Sequence, residues 1–415
     1  MIKYLDNILL LFLFLIPITL ITGPFLPDLF VSLSAIIFLI IVFLKKEYKY
    51  FNNIYFKFFI LFWLYIILIS FFSEDIYYSL SSSLVYVRFI IFSLSIWYLL
   101  DIKTNVHFTI FISLILSFIL VLSTGYLQYF FNTNFSEYIY DGKRLTGLFG
   151  KEQILGSYLS RIYPFFLALL FFTIKKPKTL IFIFLLSFIL IDVLIFLSGE
   201  RTAFVYLIIL SFLTILCLDK FKLTRLVGFI ISSIIIFFVV TNDSVVKNRM
   251  VDNTLDNLNF TNKYGERVLA FSPAHESIFK TSLKIYRDNP VLGIGVKMFR
   301  IECKKEKYYH IVGCRNHPHN TYIQLLLETG PLGFLFFFSI FIFLSILLLN
   351  QSIFVLFKKQ IIKSMYKFNN YQICLIIAIF ISLWPIAPTG NFFHNWLNVI
   401  YFLPVGFLLN SIYKK

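Results

Sequence analysis

Charge is scarce in this chain. Asp, Glu, Lys and Arg make up 14% of its 415 residues, while 59% are hydrophobic. So little charge excludes an ordinary soluble domain and leaves a polytopic membrane protein. Acid is scarcer still, 21 residues against 37 basic ones, for a net charge of +16. In a soluble chain that excess would point to nucleic acid. Here most of the lysines lie in short loops between apolar runs, so no nucleic-acid partner is expected. Four cysteines are too few for a disulfide scaffold, and Cys217 and Cys374 fall inside apolar runs as packing residues. No small-residue cleavage site follows the first apolar run, which reads as a retained span rather than a signal peptide. There is no internal repeat of the kind an inverted-repeat transporter would carry.

What the chain has is hydrophobic runs of membrane length. At about 20 residues per span, the runs number about 12. They fall near 7–23, 28–44, 54–72, 84–100, 107–125, 154–173, 179–198, 203–219, 226–241, 329–349, 371–388 and 397–412. The expected fold is an all-α polytopic membrane protein of about 12 transmembrane helices, with one long external loop between spans 9 and 10. It divides into residues 1–241 (spans 1–9), 242–328 (the loop, expected to be catalytic) and 329–415 (spans 10–12).

Charge orients it. The loops placed inside hold Lys45, Lys46, Lys49, Lys103, Lys175, Lys176, Lys178, Lys220, Lys222, Arg225, Lys358, Lys359, Lys363 and Lys367. The short loops 24–28, 73–83 and 388–396, placed outside, hold no Lys or Arg. Both termini therefore face the cytoplasm and the long loop faces outward.

Arg88, Arg161 and Arg201 stand at or within apolar spans, each toward the outer end. A charge there is costly and normally faces a wet cavity or a partner. Arginine presents a planar fork that matches phosphate and never loses its charge. Three on one side suit a shared anion such as a lipid-linked diphosphate. The alternatives are snorkelling to the interface, or an ion pair between Arg201 and Glu200.

The segment from Ser272 to Gly333 is the long polar excursion of an apolar chain and reads as its working face. Asn316-His-Pro-His-Asn320 reads as a helix start, capped by Asn316 or His317, with Pro318 and His319 in the first turn. There the helix dipole would keep His319 neutral and attract anions. Asn320, Gln324 and Glu328 follow at four-residue spacing, a polar stripe expected to line a cavity. A structural cap or solvated loop histidine is the plainer reading of His319. His317 and His319 could also join Cys303 or Cys314 on a metal, but Cys-x10-Cys with His-x-His matches no usual ligand spacing, and no metal is expected. Outside the cytoplasm a Cys303–Cys314 disulfide closing the basic stretch Lys304–Lys307 fits better. Gly293-Ile-Gly295 after Asn289-Pro290 reads as a turn, not a nucleotide site.

Asn289-Pro-Val-Leu-Gly-Ile-Gly295, His317-Pro-His-Asn320 with Gln324, and Glu328-Thr-Gly-Pro-Leu-Gly333 together resemble the signature of the O-antigen ligase/polymerase superfamily of bacterial envelope proteins. Arg144-Leu-Thr-Gly-Leu-Phe-Gly150, Ser198-Gly-Glu-Arg-Thr202 and Pro388-Thr-Gly-Asn391 add to the likeness. With the span count, the resemblance covers nearly the whole chain. It implies an inverting, metal-independent glycosyltransferase without cofactor, in the bacterial inner membrane with a periplasmic active site. The implied donor is a glycan on undecaprenyl diphosphate, and the implied acceptor is lipid A–core in a ligase or a lipid-linked glycan in a polymerase. Membrane lipids are the remaining partners. Arg201 matches the family arginine thought to hold the diphosphate, and His319 the histidine proposed as general base. Arg88, Arg161, His275, Arg287, His317, Asn320, Gln324 and Glu328 are the expected substrate-binding residues. The sequence departs from the pattern at His275, fifteen residues before Pro290, where many members carry arginine. Arg267 or Arg287 would then compensate, or the donor is held differently. A lipid-linked glycan flippase, with cations along both leaflets, and a structural scaffold are the readings from other classes.

Overall fold

The computed structural model describes residues 1–133, 135, 142–258, 272–359 and 367–413, and every regular element among them is helical. Ten helices precede the long loop: α1 Ile2–Thr19, α2 Phe25–Lys45, α3 Ile54–Ser70, α4 Ile76–Ser83, α5 Arg88–Ile102, α6 Val106–Phe131, α7 Leu155–Thr173, α8 Pro177–Leu197, α9 Arg201–Cys217 and α10 Lys222–Asn242. The loop carries α11 Ser244–Lys247, α12 Asn253–Leu258, α13 Pro273–Asp288 and α14 Phe299–Glu302. The chain then runs through α15 Thr321–Phe357, α16 Asn370–Ser382 and α17 Asn395–Tyr413. Among the described residues, nine stretches are long and apolar enough to cross a membrane, with α4 and α5 counted as one, and α3, α9 and α16 are shorter apolar helices. All twelve runs read from the sequence are thus helical: this is a polytopic membrane protein. Arg267 lies outside the described residues, as does Lys363.

Local chemistry sets several ends. Asn53 caps α3 by accepting from Phe56 N at 2.8 Å, and Asp75 caps α4 from Tyr78 N at 2.9 Å. Asn369 and Gln372 form a capping box at α16. Polar ties join helix ends that are distant in the chain. At one end Lys49 meets Asp101 at 3.3 Å, and Asn410 donates to the same carboxylate at 2.9 Å. At the other, Trp396 Nε1 donates to Leu20 O at 2.8 Å.

The helices share one apolar core, with α7 at its centre and α10 at its rim. Apolar side chains stay exposed along α2, α3 and α10, as a lipid-facing surface requires. Arg225 corrects the loop reading. It lies inside α10, fully buried, with Asp192 of α8 at 2.6 Å. A second, small core holds the extramembrane segment together. Ile278 and Ile285 of α13 pack there with Ile294, Met298, Phe299 and Leu327. A Cys303–Cys314 disulfide, Cα atoms 5.2 Å apart, closes its edge.

The helix after the loop differs from expectation at both ends. It begins at Thr321 and is broken at Gly330, whose φ is +65°. Pro331 has no N–H, so the carbonyl of Leu327 loses its helical donor. Ile294 N takes that carbonyl at 3.0 Å, and Gly295 N takes the carbonyl of Glu328 at 3.0 Å. A side chain at Gly293 would meet Leu327 O at 2.6 Å. The two glycines therefore let a backbone turn dock on a kinked helix, as their turn reading required.

Candidate functional site

The turn Ser198-Gly-Glu-Arg-Thr202 between α8 and α9 anchors the site. Gly199 has φ +71°, and an added Cβ would lie 2.7 Å from the backbone oxygen of Lys143. Glu200 does not pair with Arg201. Its carboxylate accepts from Gly156 N at 2.6 Å, Ser157 N at 3.2 Å and Ser157 Oγ at 2.6 Å, so it caps α7. Arg201 donates to the backbone oxygen of Asn253 at 3.1 Å.

The stretch Arg144-Leu-Thr-Gly147 is held over this turn by Gln128, whose Oε1 accepts from Thr146 N and Gly147 N, both at 2.8 Å. Arg144 and Arg249 both approach the position of Gly199, and Arg249 Nε donates to its carbonyl at 3.2 Å. Arg144 and Arg249 thus meet at one glycine, two residues before Arg201. Among the described residues, neither Arg144 nor Arg201 forms an ion pair with a carboxylate. The sequence reading quoted Arg144 within a motif without giving it a role, and it passed over Arg249, which no motif marks.

His275 joins this group to His319. Its ring lies 5.6 Å from that of His319, edge to face, and its Nδ1 is 2.7 Å from Ser272 Oγ. Burial, then the charges of Arg201 and Arg144, lower its proton affinity. His319 in turn lies tilted against His317, ring centres 4.0 Å apart. Its pKa is pushed down to about 4 by burial and then by His275 and Arg315. That of His317 falls to about 3 by burial and then by His319, with its Nε2 buried and without a hydrogen-bond partner.

The cap is Asn320, not Asn316 or His317. Its Oδ1 accepts from Tyr322 N at 2.9 Å and Ile323 N at 3.0 Å. His319 therefore precedes the helix, in the left-handed region with φ +55°, and its carbonyl accepts from Thr389 N at 2.8 Å. That bond ties Pro388-Thr-Gly-Asn391 to the histidine.

Residues 182–338 match the family model described as O-antigen ligase. The match takes in 157 of the 415 residues and supports the O-antigen ligase/polymerase superfamily. The match takes in the Arg201 turn, His275 and the His317–His319 pair; Arg144, Arg161 and Thr389 lie outside it. No curated protein matches the chain.

In the structure, several expected substrate contacts have other duties. Gln324 donates to Glu328 and to Asn391, both at 2.9 Å, and accepts from Phe392 N at 2.8 Å. Glu328 accepts from Lys297 N at 3.0 Å and Phe299 N at 3.3 Å, and Asn320 donates to Pro385 O at 2.8 Å. All three are buried, so the stripe faces protein, not a cavity. It bolts the Lys297–Phe299 turn and the loop at 388–394 to α15.

The arginines separate too. Arg88 is held by Asp28 at 2.8 Å, away from the Gly199 turn. Arg161 is buried under Tyr206, its guanidinium 4.7 Å from the ring centre and 3.3 Å from the hydroxyl. Tyr206 lies five residues beyond Arg201, about 7.5 Å deeper along α9. Arg287 is exposed, twelve residues and about 18 Å of helix from His275. It does not fill the place of the missing family arginine; Arg144 and Arg249 lie beside Arg201 instead.

Proposed function

We propose that the protein is a ligase-type glycosyltransferase that moves a glycan from undecaprenyl diphosphate to lipid A–core on the periplasmic face of the inner membrane. The observation that carries this reading is the meeting of Arg144 and Arg249 at Gly199, with Arg201 beside Arg144 and His275 linking the group to His319. Glu200 is turned away onto α7. Arg144 and Arg201 form no ion pair with a carboxylate among the described residues, an arrangement suited to an anion that arrives with the substrate.

The chemistry follows. As the glycosidic bond to the diphosphate breaks, negative charge grows on the leaving oxygen, and the fixed guanidiniums stabilise it. His319 is neutral above about pH 4 and so accepts the proton of the attacking hydroxyl without first being deprotonated. Attack from the face opposite the diphosphate inverts the anomeric centre. Loops without Lys or Arg lie on the side of the long loop, which supports the outward orientation.

The test is a two-acceptor assay with purified protein and glycan-loaded undecaprenyl diphosphate. Lipid A–core capped with glycan is the expected product. A ladder of longer lipid-linked chains would make the protein a polymerase on the same donor chemistry, and neither product would return the flippase reading.

A further inference from the structure

A second positive feature lies on the same side of the protein, outside the Gly199 group. A cavity of about 290 Å³ opens among Asp28, Ser81, Ser82, Arg88, Lys297 and Asn395. Its walls come from the ends of the three short loops that contain no Lys or Arg, together with the start of α5. Arg88 is satisfied within the wall: its Nε and Nη2 donate to Asp28 at 3.1 and 2.8 Å, and Asn395 donates to the other oxygen of that carboxylate at 2.8 Å. Those charges cancel.

Lys297 adds a cation that no ion pair holds: burial and Arg300 lower its proton affinity, and Glu328 and Asp28 act on it only at a distance. Among the described residues its ammonium has no carboxylate partner and no hydrogen bond. Nor is its position casual. The backbone is held at φ +62°, a region that side chains other than Gly and Asn rarely adopt. Glu328 holds it there by accepting from the backbone N–H groups of Lys297 and Phe299. The docking of Gly293-Ile-Gly295 on the kinked α15 thus has a consequence beyond packing: it carries a lysine into the cavity. The His317–His319 pair lies between the two positive features, His319 against His275 on one side and His317 under the charges of His394 and Arg300 on the other. His394 in turn feels Lys297.

We propose that this cavity is an anion subsite for the acceptor, in which Lys297 receives a phosphate or carboxylate group that the acceptor carries. The assignment to an acceptor rests on the glycosyl-transfer reading, with the donor diphosphate at the Gly199 arginines; the anion site itself does not. Lys297 acts by point charge, so it fixes where the acceptor's anion sits without reading its sugars.

The experiment begins with binding. The full chain in lipid nanodiscs is titrated calorimetrically with inorganic pyrophosphate at physiological ionic strength. Two separable binding events are expected. Lys297→Asn, which removes the charge but suits the left-handed backbone, should weaken one event by roughly tenfold or more and leave the other. Arg201→Ala should do the reverse, and Lys297→Arg should keep both. A Lys297→Asn titration superimposable on that of the native protein, or one losing both events at an unchanged melting temperature, would overturn the proposal.

Kinetics then name the source of the anion. Acceptor KM is compared for lipid A–core with and without its phosphates, and for lipid-linked glycan on a diphosphate or a monophosphate. In Lys297→Asn the KM of the charged acceptor should rise roughly tenfold, with donor KM within about twofold. The acceptor whose phosphate matters to native protein but not to Lys297→Asn is the occupant. If no acceptor is extended while both pyrophosphate events keep their dependence on Lys297 and Arg201, the glycosyl-transfer reading fails and the anion site stands. A rise in donor KM alone would mean that the cavity belongs to the donor, and would overturn the acceptor assignment.

Discussion

Arg225 and Arg201 stand near opposite ends of neighbouring helices and are treated by the fold in opposite ways. Arg225 is fully buried, with Asp192 at 2.6 Å, Ser211 beside it and the Phe188 ring 4.0 Å below its guanidinium. Arg201 is half-buried, donates to a backbone oxygen and has Arg144 as an electrostatic neighbour. A cation whose carboxylate is supplied by the chain is part of the framework. One placed beside another cation, with the nearest carboxylate directed elsewhere, is waiting for an anion from outside. Arg88 belongs with Arg225 by this criterion, and Lys297 with Arg201.

Substitution is the way to break that comparison. Arg201→Ala should lower glycan transfer by about a hundredfold to a thousandfold, the scale of losing one preorganised charge at a leaving group. Its yield from the membrane and its melting temperature should stay near native. Arg225→Ala should instead leave a buried carboxylate unpaired and cost about 3–5 kcal/mol of stability, read as lost folded protein in detergent. If Arg225→Ala were stable and inactive while Arg201→Ala unfolded, the distinction would be backwards.

His319→Gln sharpens the chemical half, with an expected loss of about a hundredfold in kcat and little change in donor KM. Acid behaviour checks the same residue. The ring is held below the ordinary histidine value of about 6.5, so the unfolded chain binds the extra proton first as pH falls. Stability contributed by His319 is therefore complete above about pH 6.5 and lost as pH falls through about 4. Melting curves at pH 7 and near pH 4.5, without donor, should differ more for native protein than for His319→Gln. Equal acid sensitivity would show that His319 is not the desolvated group. Cys303→Ser should have the smallest effect on transfer, within about threefold, while lowering the stability of the extramembrane segment by roughly 2–3 kcal/mol.

The sequence exposed the parts of the site that local pattern controls. Ser198-Gly-Glu-Arg-Thr202 was legible because a short polar stretch between two apolar runs of span length must be a turn. The histidine stretch was legible as a helix start, although its cap lies one residue past His319, at Asn320. The polar stripe misled. Four-residue spacing puts Asn320, Gln324 and Glu328 on one face of a helix, but spacing cannot say whether that face meets water or the loops that pack on it.

By itself, then, the sequence determined the twelve apolar helices, their alternation and the glycine turns. Each of these depends on residues within a turn or a span of one another. Which charges are matched was decided only by tertiary structure. Asp28 reaches Arg88 across 60 positions and Glu200 reaches Gly156 across 44, while Arg144 comes beside Arg201 from another loop. In a low-dielectric interior the partner settles what a charge is for, and partners this distant in the chain are brought together only by packing.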